Sequence, residues 1–153
     1  MIFESAPGSG GLCGSTFLNR IFDVFLREKF ANYSKWDDGY HQDAMDKFEN
    51  KIKREFNGDQ TKSFFVPARG LPNNTNLNIK TGQVEISGRR LSKIFEPVII
   101  EVLSLVVAQI QATSDHRKVN AVLLAGGFGR SKYLMNRIKK EVGDIRVVQI
   151  EDG

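Results

Sequence analysis

The stretch that decides the fold runs from residue 119 to residue 130 and has the sequence VNAVLLAGGFGR. Its first half, residues 119–124, is short and largely apolar, which is typical of a strand buried on both faces of a parallel sheet. Glycines follow at once, and after them comes a helix whose apolar residues recur at helical spacing. A second strand is expected over residues 145–150. A strand, a helix and a strand in this order predict parallel pairing and therefore an α/β fold. The apolar residues of the helix are Leu134, Met135, Ile138 and Val142.

The part of the chain before this unit is expected to form a loop and two helices. Residues 6–15 are rich in glycine and serine, which predicts a loop. Thr16 can cap the helix that follows, and residues 33–39 separate it from a second helix that ends at Asn57-Gly58. Each helix carries one apolar face. These faces are formed by Phe17, Leu18, Ile21, Phe22 and Phe25 in the first helix and by Met45, Phe48, Ile52 and Phe56 in the second.

Residues 61–87 differ in character and predict a small sheet. Residues 63–66 suit a short strand, and residues 77–79 and 83–86 flank a hairpin turn at Thr81-Gly82. This sheet is expected to be attached to the α/β unit that follows it.

A long helix is expected from about residue 88 to residue 112, with Ser87 as its N-cap. Its most apolar part, residues 97–110, is too short to span a membrane and contains Glu101. The chain opens without a secretory signal. These features predict a cytoplasmic protein that has no membrane partner.

Composition limits the kinds of protein that this chain can be. Its 153 residues, with a mass of 17.2 kDa, suffice for one ordinary domain. The hydrophobic share of 41% and the charged share of 26% exclude a fully disordered chain. Because Cys13 is the single cysteine, a disulfide framework and a cysteine-rich zinc site are excluded. The net charge of +4 is compatible with phosphate or nucleic acid as a ligand and requires neither.

The most informative local feature is the loop formed by Gly126, Gly127, Phe128, Gly129 and Arg130, between the buried strand and the helix. Glycines let a backbone approach a ligand closely, and the N–H groups at a helix start favour negative charge. The guanidinium group of Arg130 can stack on a base or pair with a phosphate. The loop lacks the lysine of a Walker motif and has only half of a dinucleotide fingerprint. A ligand-binding loop and a tight strand-to-helix turn therefore both remain open.

Other segments give weaker indications. The glycine-rich residues 8–15 also precede a helix, and they suit a flexible loop or a phosphate cradle. In the run of residues 51–54, Ile52 is expected to pack inward while Lys51 and Arg54 share the outer face, which suits a solvated helix surface or a clamp on a base or phosphate. Glu151 follows a strand at a spacing that suits either a ribose-binding acid or an ordinary carboxylate at a strand end.

Three segments together resemble a known family. Residues 12–20 resemble its motif Leu-Gly-Gly-Glu-Asp-Phe-Asp-Asn-Arg, and residues 53–57 resemble its Lys-Arg-Thr-Leu-Ser. Residues 122–130 are similar to its adenosine motif Val-Leu-Val-Gly-Gly-Ser-Thr-Arg. The family is that of the seventy-kilodalton heat-shock chaperones, and the closest resemblance is to the divergent members common in fungi. The resemblance implies the second lobe of an actin-like, ribonuclease H-like ATPase domain, with residues 16–87 as a small α+β outer subdomain and residues 88–153 as its α/β base.

The resemblance also implies ATP or ADP as the ligand and assigns a role to individual residues. Gly126 and Gly127 would lie against the adenosine and α-phosphate side of the nucleotide, and Arg130 would stack beside the base. Lys53 and Arg54, both expected on an exposed helix face, would reach the adenosine from the outer subdomain. Three further positions complete the nucleotide-binding set: Gly14 would lie near the phosphates, and Phe128 and Asn57 stand where the family has serines.

Departures from the family pattern affect both binding and catalysis. The family's glutamate on the adenine-side helix falls at Asn50, one place from Glu49, and its Glu-Asp pair is replaced by Ser15 and Thr16. No Asp-x-Gly-Gly-Gly-Thr motif occurs in the 153 residues, and neither do the other phosphate loop and lysine that precede this segment in the family. We therefore expect nucleotide binding without hydrolysis by this chain alone, Mg²⁺ only together with a first lobe, and no catalytic residue or metal site here. Protein partners of a chaperone-like system are implied, and nucleic acid is not.

Two alternatives remain open. The chain suits a small Rossmann-type dinucleotide-binding module that uses Gly127, Gly129 and Glu151. It also suits a basic module for protein or nucleic acid, in which Arg117-Lys118 and Lys139-Lys140 make the contacts.

Overall fold

The computed structural model describes residues 2–4, 14–114, 121–125, 130–143 and 145–149. The described chain mixes helices with two small sheets, in agreement with the predicted α/β class. The α-helices are α1 (Gly14–Lys29), α2 (Asp38–Lys47), α3 (Lys53–Glu55), α4 (Gly88–Ser114) and α5 (Lys132–Val142). A π-helical segment (Phe48–Ile52) joins α2 to α3, and a 3₁₀ turn covers Thr75–Leu77. The strands are β1 (Ile2–Glu4), β2 (Ser63–Pro67), β3 (Ile79–Lys80), β4 (Gln83–Ser87), β5 (Ala121–Ala125) and β6 (Arg146–Gln149).

The first sheet is parallel and has the strand order β1-β5-β6. Leu123 of β5 pairs with Ile2 on one side and with Val148 on the other. The predicted unit of strand, helix and parallel strand is therefore confirmed, with β5, α5 and β6 as its parts. The strand β1 was not predicted, because three residues are too few to show a periodic pattern.

The second sheet is antiparallel, has the order β2-β4-β3 and confirms the predicted small sheet. Val66 pairs with Val84 across β2 and β4, and both side chains are buried. The hairpin turn at Thr81 and Gly82 is also confirmed, with φ values of 54° and 72° that suit a two-residue turn. The prediction of a strand beginning at Leu77 was wrong. That residue ends the 3₁₀ turn, and its backbone N–H donates to Asn74 Oδ1 at 3.3 Å.

The helices begin close to the predicted positions. The predicted end of the loop at residue 15 was wrong, because α1 already begins at Gly14. In α2, the side chain of Asp37 accepts a hydrogen bond from the backbone N–H of Tyr40 at 3.1 Å, as an N-cap does. Ser87 caps α4 as predicted, because its Oγ accepts from the backbone N–H of Arg90 at 3.1 Å.

One core of aromatic and aliphatic side chains runs from α1 to α5. The ring of Phe48 stacks on Phe22 of α1 with centroids 4.0 Å apart. Phe95 of α4 contacts the rings of Phe56 and Tyr133, with centroid distances of 5.2 Å and 5.8 Å.

The predicted boundary between the two subdomains, between residues 87 and 88, falls where β4 ends and α4 begins, and the division into subdomains stays a prediction. Among the residues described, no helix is both long and apolar enough to cross a membrane.

Candidate nucleotide site

The segment of residues 53–57 lies against the start of α5. The backbone N–H of Tyr133 donates to the carbonyl oxygen of Phe56 at 3.1 Å. The side-chain amide of Asn136 donates to the carbonyl oxygen of Asn57 at 3.4 Å, across 79 residues of sequence. Because α5 directly follows residues 126–131, these bonds hold the predicted cationic segment beside the helix that the glycine loop enters.

Gly58 makes this close approach possible. Its φ is +95°, in the left-handed region that favours glycine, and a Cβ there would lie 2.8 Å from two ring carbons of Tyr133. The ring itself is packed edge-on against Phe56, with centroids 5.2 Å apart. The predicted helix end at Asn57-Gly58 is therefore also the point at which α5 packs against the outer helices.

Lys53 is buried, and its ammonium group is already bound by protein side chains. It is 5% exposed, donates to Asn19 Oδ1 at 2.9 Å and forms an ion pair with Glu49. The expectation that Lys53 lies on an exposed helix face was wrong. A buried ammonium group needs such partners, because an unpaired charge in the core costs several kilocalories per mole.

The carboxylate beside Lys53 is that of Glu49, four residues earlier, at a spacing that places both side chains on one face of a helix. The π-helical segment contains Glu49 and leads directly into α3, which begins at Lys53. Partial burial would raise the pKa of Glu49, but the hydrogen bonds from Lys53 and Asn19 and the charge of Lys53 together lower it. The side chain of Glu49 is still 48% exposed, so the carboxylate can be reached from solvent while it accepts from Lys53 and Asn19.

The residues around Lys53 differ in their exposure to solvent. Ile52 is fully buried, as predicted, while Arg54 and Asn57 are exposed. Asn57 Oδ1 accepts from the backbone N–H of Asp59 at 3.0 Å and so shapes the turn after the helix. Arg54 is therefore the cation of this segment that faces outward towards solvent.

Arg130 stands at the entrance to α5, next to the N-cap Ser131. The buried Ser131 accepts a hydrogen bond from the backbone N–H of Leu134 at 3.2 Å and fixes the start of the helix. The Nε atom of Arg130 is buried and has no hydrogen-bond partner among the described residues. A buried donor is costly until an acceptor meets it, so this position fits an anionic or carbonyl oxygen of a ligand or of the adjoining loop.

Several predicted site residues lie outside the described part of the chain. Gly126, Gly127, Phe128, Gly129 and Glu151 belong to this group, as do the basic residues 117–118. Gly14 is described, and it opens α1 at the position where a phosphate-side loop was expected.

A bidentate ion pair fixes α5 against α4. Two guanidinium nitrogens of Arg137 donate to the carboxylate of Glu96 at 2.6 and 3.0 Å, and Tyr133 Oη donates to the same carboxylate at 3.3 Å. The hydrogen bonds from Arg137 lower the pKa of Glu96, although partial burial opposes them. Sequence reasoning missed this network, because Glu96 and Arg137 lie on two helices whose packing no local pattern reveals.

Within the described ranges, no group of three or more His, Cys, Asp or Glu side chains comes together in a way that could hold a metal ion. Comparisons of the chain with known protein families, with curated proteins and with solved structures find no match.

Proposed function

We propose that this chain is the adenine-nucleotide-binding half of an actin-like ATPase domain of the seventy-kilodalton heat-shock type. The observation that carries the proposal is the pair of hydrogen bonds from Tyr133 and Asn136 to the carbonyl oxygens of Phe56 and Asn57. The segments of residues 53–57 and 122–130, which resemble the family's adenosine-binding motifs, are far apart in sequence. The two bonds hold residues 53–57 against α5, the helix that follows the second segment.

In this proposal, the nucleotide lies between the segment of residues 53–57 and the glycine loop. Gly126 and Gly127, which lack a Cβ, let the backbone approach the adenosine and α-phosphate of the nucleotide closely. The guanidinium group of Arg130 contacts the base or a phosphate oxygen. Phe128 borders the same side.

The carboxylate that accepts from a ribose hydroxyl or the adenine amino group is that of Glu49. Its half-exposed oxygens and its ionised state, maintained by Lys53 and Asn19, fit this role. Lys53 then acts by positioning Glu49, and Arg54 supplies the outer cation.

We do not expect the 153 residues to hydrolyse ATP by themselves. Phosphoryl transfer needs carboxylates that hold Mg²⁺ and position the attacking water, and the motif that supplies them in the family does not occur in this sequence. As part of a larger ATPase, the chain would act in the cytoplasm with the protein partners of a chaperone-like system.

The test is calorimetric titration of the purified chain with ADP. We expect weak, saturable binding that Gly126→Val abolishes, because a branched side chain fills the space where backbone and ligand meet. The matched control is Gly39→Val in the exposed first turn of α2, where a Cβ would lie 3.2 Å from the N-cap oxygen of Asp37, so it can weaken that cap but changes no residue assigned to the nucleotide. Absence of heat at millimolar ADP, or an unchanged affinity in Gly126→Val, would contradict the proposal. Tighter binding of NAD(H) than of ADP would favour the dinucleotide module instead.

A further inference from the structure

A second groove opens at the other end of the outer helices, beside the start of α4. It has a volume of about 490 Å³ and lies between the last turn of α1, strand β4 and the first turn of α4. Its lining includes the ring of Phe25 and two cationic side chains, Lys29 and Arg90. None of these residues belongs to the segments assigned to the nucleotide.

The two cations are held near one another by the same aromatic ring. The Nζ atom of Lys29 lies 6.0 Å from the centroid of Phe25, and the Cζ atom of Arg90 lies 5.7 Å from it. Lys29 donates to Asn78 Oδ1 at 2.6 Å. Neither cation forms an ion pair with a carboxylate of the described residues. Burial, and then repulsion from Arg90, lower the pKa of Lys29, as expected for a positive charge that lacks a counter-charge.

Two carboxylates also line the groove, and they limit what can enter it. Glu85 Oε2 accepts from Ser63 Oγ at 2.7 Å, on the neighbouring strand. Glu28 lies on the exposed side of α1. Because these two charges remain near the cations, an extended polyanion such as nucleic acid would be repelled along its length. A compact anion that reaches only Lys29 and Arg90 avoids most of that repulsion.

The first turn of α4 contributes electrostatically. The helix has 27 residues, and the positive end of its dipole lies at its N-terminus, beside the two cations. The backbone N–H of Gly88 is bound by the carbonyl oxygen of Lys62 at 2.7 Å, and that of Arg90 by Ser87 Oγ. The helix dipole therefore adds to the positive charge of Lys29 and Arg90, whose side chains are the donors available to a ligand.

We propose that this groove is a binding site for a single phosphate group, such as that of a small phosphate monoester. One dianionic group compensates both cations at once, and the guanidinium fork of Arg90 matches two of its oxygens. The site is independent of the nucleotide site.

Titration with inorganic phosphate, followed by ¹⁵N–¹H NMR of the whole chain, tests the proposal. We expect saturable shifts of the backbone resonances of Lys29, Asn78 and Arg90 that equal concentrations of acetate or chloride, at matched ionic strength, do not reproduce. Lys29→Gln and Arg90→Gln should each weaken the affinity about three- to tenfold. Lys93→Gln is the matched control, because it removes an exposed cation of α4 that does not line the groove.

A variant that binds phosphate more tightly provides a further check, because a misfolded protein would bind phosphate less tightly. Glu85→Gln removes a negative charge from the groove and keeps an acceptor for Ser63, so it should tighten phosphate binding severalfold. The proposal is overturned if acetate or chloride causes the same shifts, if both cation variants bind as the parent does, or if phosphate perturbs only the residues around α3 and α5.

Discussion

Replacing Gly58 by alanine tests the contact between α5 and residues 53–57 on which the proposed nucleotide site depends. At φ +95°, an L-residue is strained, which costs about 1–2 kcal/mol. The new Cβ would also stand 2.8 Å from Cδ1 and Cε1 of Tyr133, closer than carbon atoms can pack.

The ring of Tyr133 has little room to move away. It is 9% exposed and lies against Phe56, with centroids 5.2 Å apart, and Phe95, with centroids 5.8 Å apart. Overpacking of this kind costs about 1–3 kcal/mol, so we expect Gly58→Ala to lower the free energy of unfolding by about 2–5 kcal/mol in total.

Urea unfolding followed by circular dichroism measures the loss, and Gly70→Ala is the matched control. Gly70 has a similar φ of +86°, but its Cβ would meet only Tyr40 Oη at 3.6 Å, which is an ordinary contact. Its loss should therefore be the backbone strain alone, about 1–2 kcal/mol. The difference between the two variants isolates the clash with Tyr133.

Equal losses in the two variants would refute the argument that Gly58 is required by the approach of α5. A double variant gives a second check, because Tyr133→Leu should be less harmful in the Gly58→Ala chain than in the parent. We also expect Gly58→Ala to weaken ADP binding, since the carbonyl groups of Phe56 and Asn57 would move away from α5.

Three further perturbations follow from the same contacts. Gly88→Ala should destabilise the chain by about 3 kcal/mol or more in urea unfolding, because its Cβ would lie 2.3 Å from the carbonyl oxygen of Asp59. Lys53→Met should cost about 1–3 kcal/mol by the same assay, since it leaves Asn19 Oδ1 and the Glu49 carboxylate without their cationic donor. The Arg137–Glu96 pair should stabilise the fold above the usual Glu pKa of 4.5 and lose this effect as pH falls through the lowered pKa of Glu96, so Arg137→Gln should flatten stability against pH in that acidic range.

The sequence predicted those parts of the fold that depend on local pattern. The apolar spacing of Phe22 and Phe48 placed both in the core, and the Thr81-Gly82 turn followed from its own backbone preference. Strand β1 and the 3₁₀ turn at Leu77 were missed. The strand is too short for a pattern, and the side chain of Asn74 determines the turn.

For the candidate nucleotide site, the sequence predicted which residue types occur. It did not predict how deeply their side chains are buried or which partners they have. Lysine is usually an exposed residue, so the run of residues 51–54 predicts a solvated face. Lys53 is buried because Asn19, 34 residues away, and Glu49 together satisfy its ammonium group. Glu49 lies four residues before Lys53, so the spacing within the segment does indicate this pair. No spacing rule applied to this segment alone reveals the contact with Asn19 or the burial of Lys53.

This difference changes which cation we expect to bind the nucleotide. Lys53 already binds Asn19 and Glu49, so its contribution to affinity passes through the position of Glu49. Arg130 has a buried Nε without a partner in the described chain, and it gains a full hydrogen bond when an acceptor arrives. We therefore expect Arg130→Gln to weaken ADP binding with little loss of stability, whereas Lys53→Met should reduce both together. Equal effects on stability in the two variants would show that Arg130 also serves the fold.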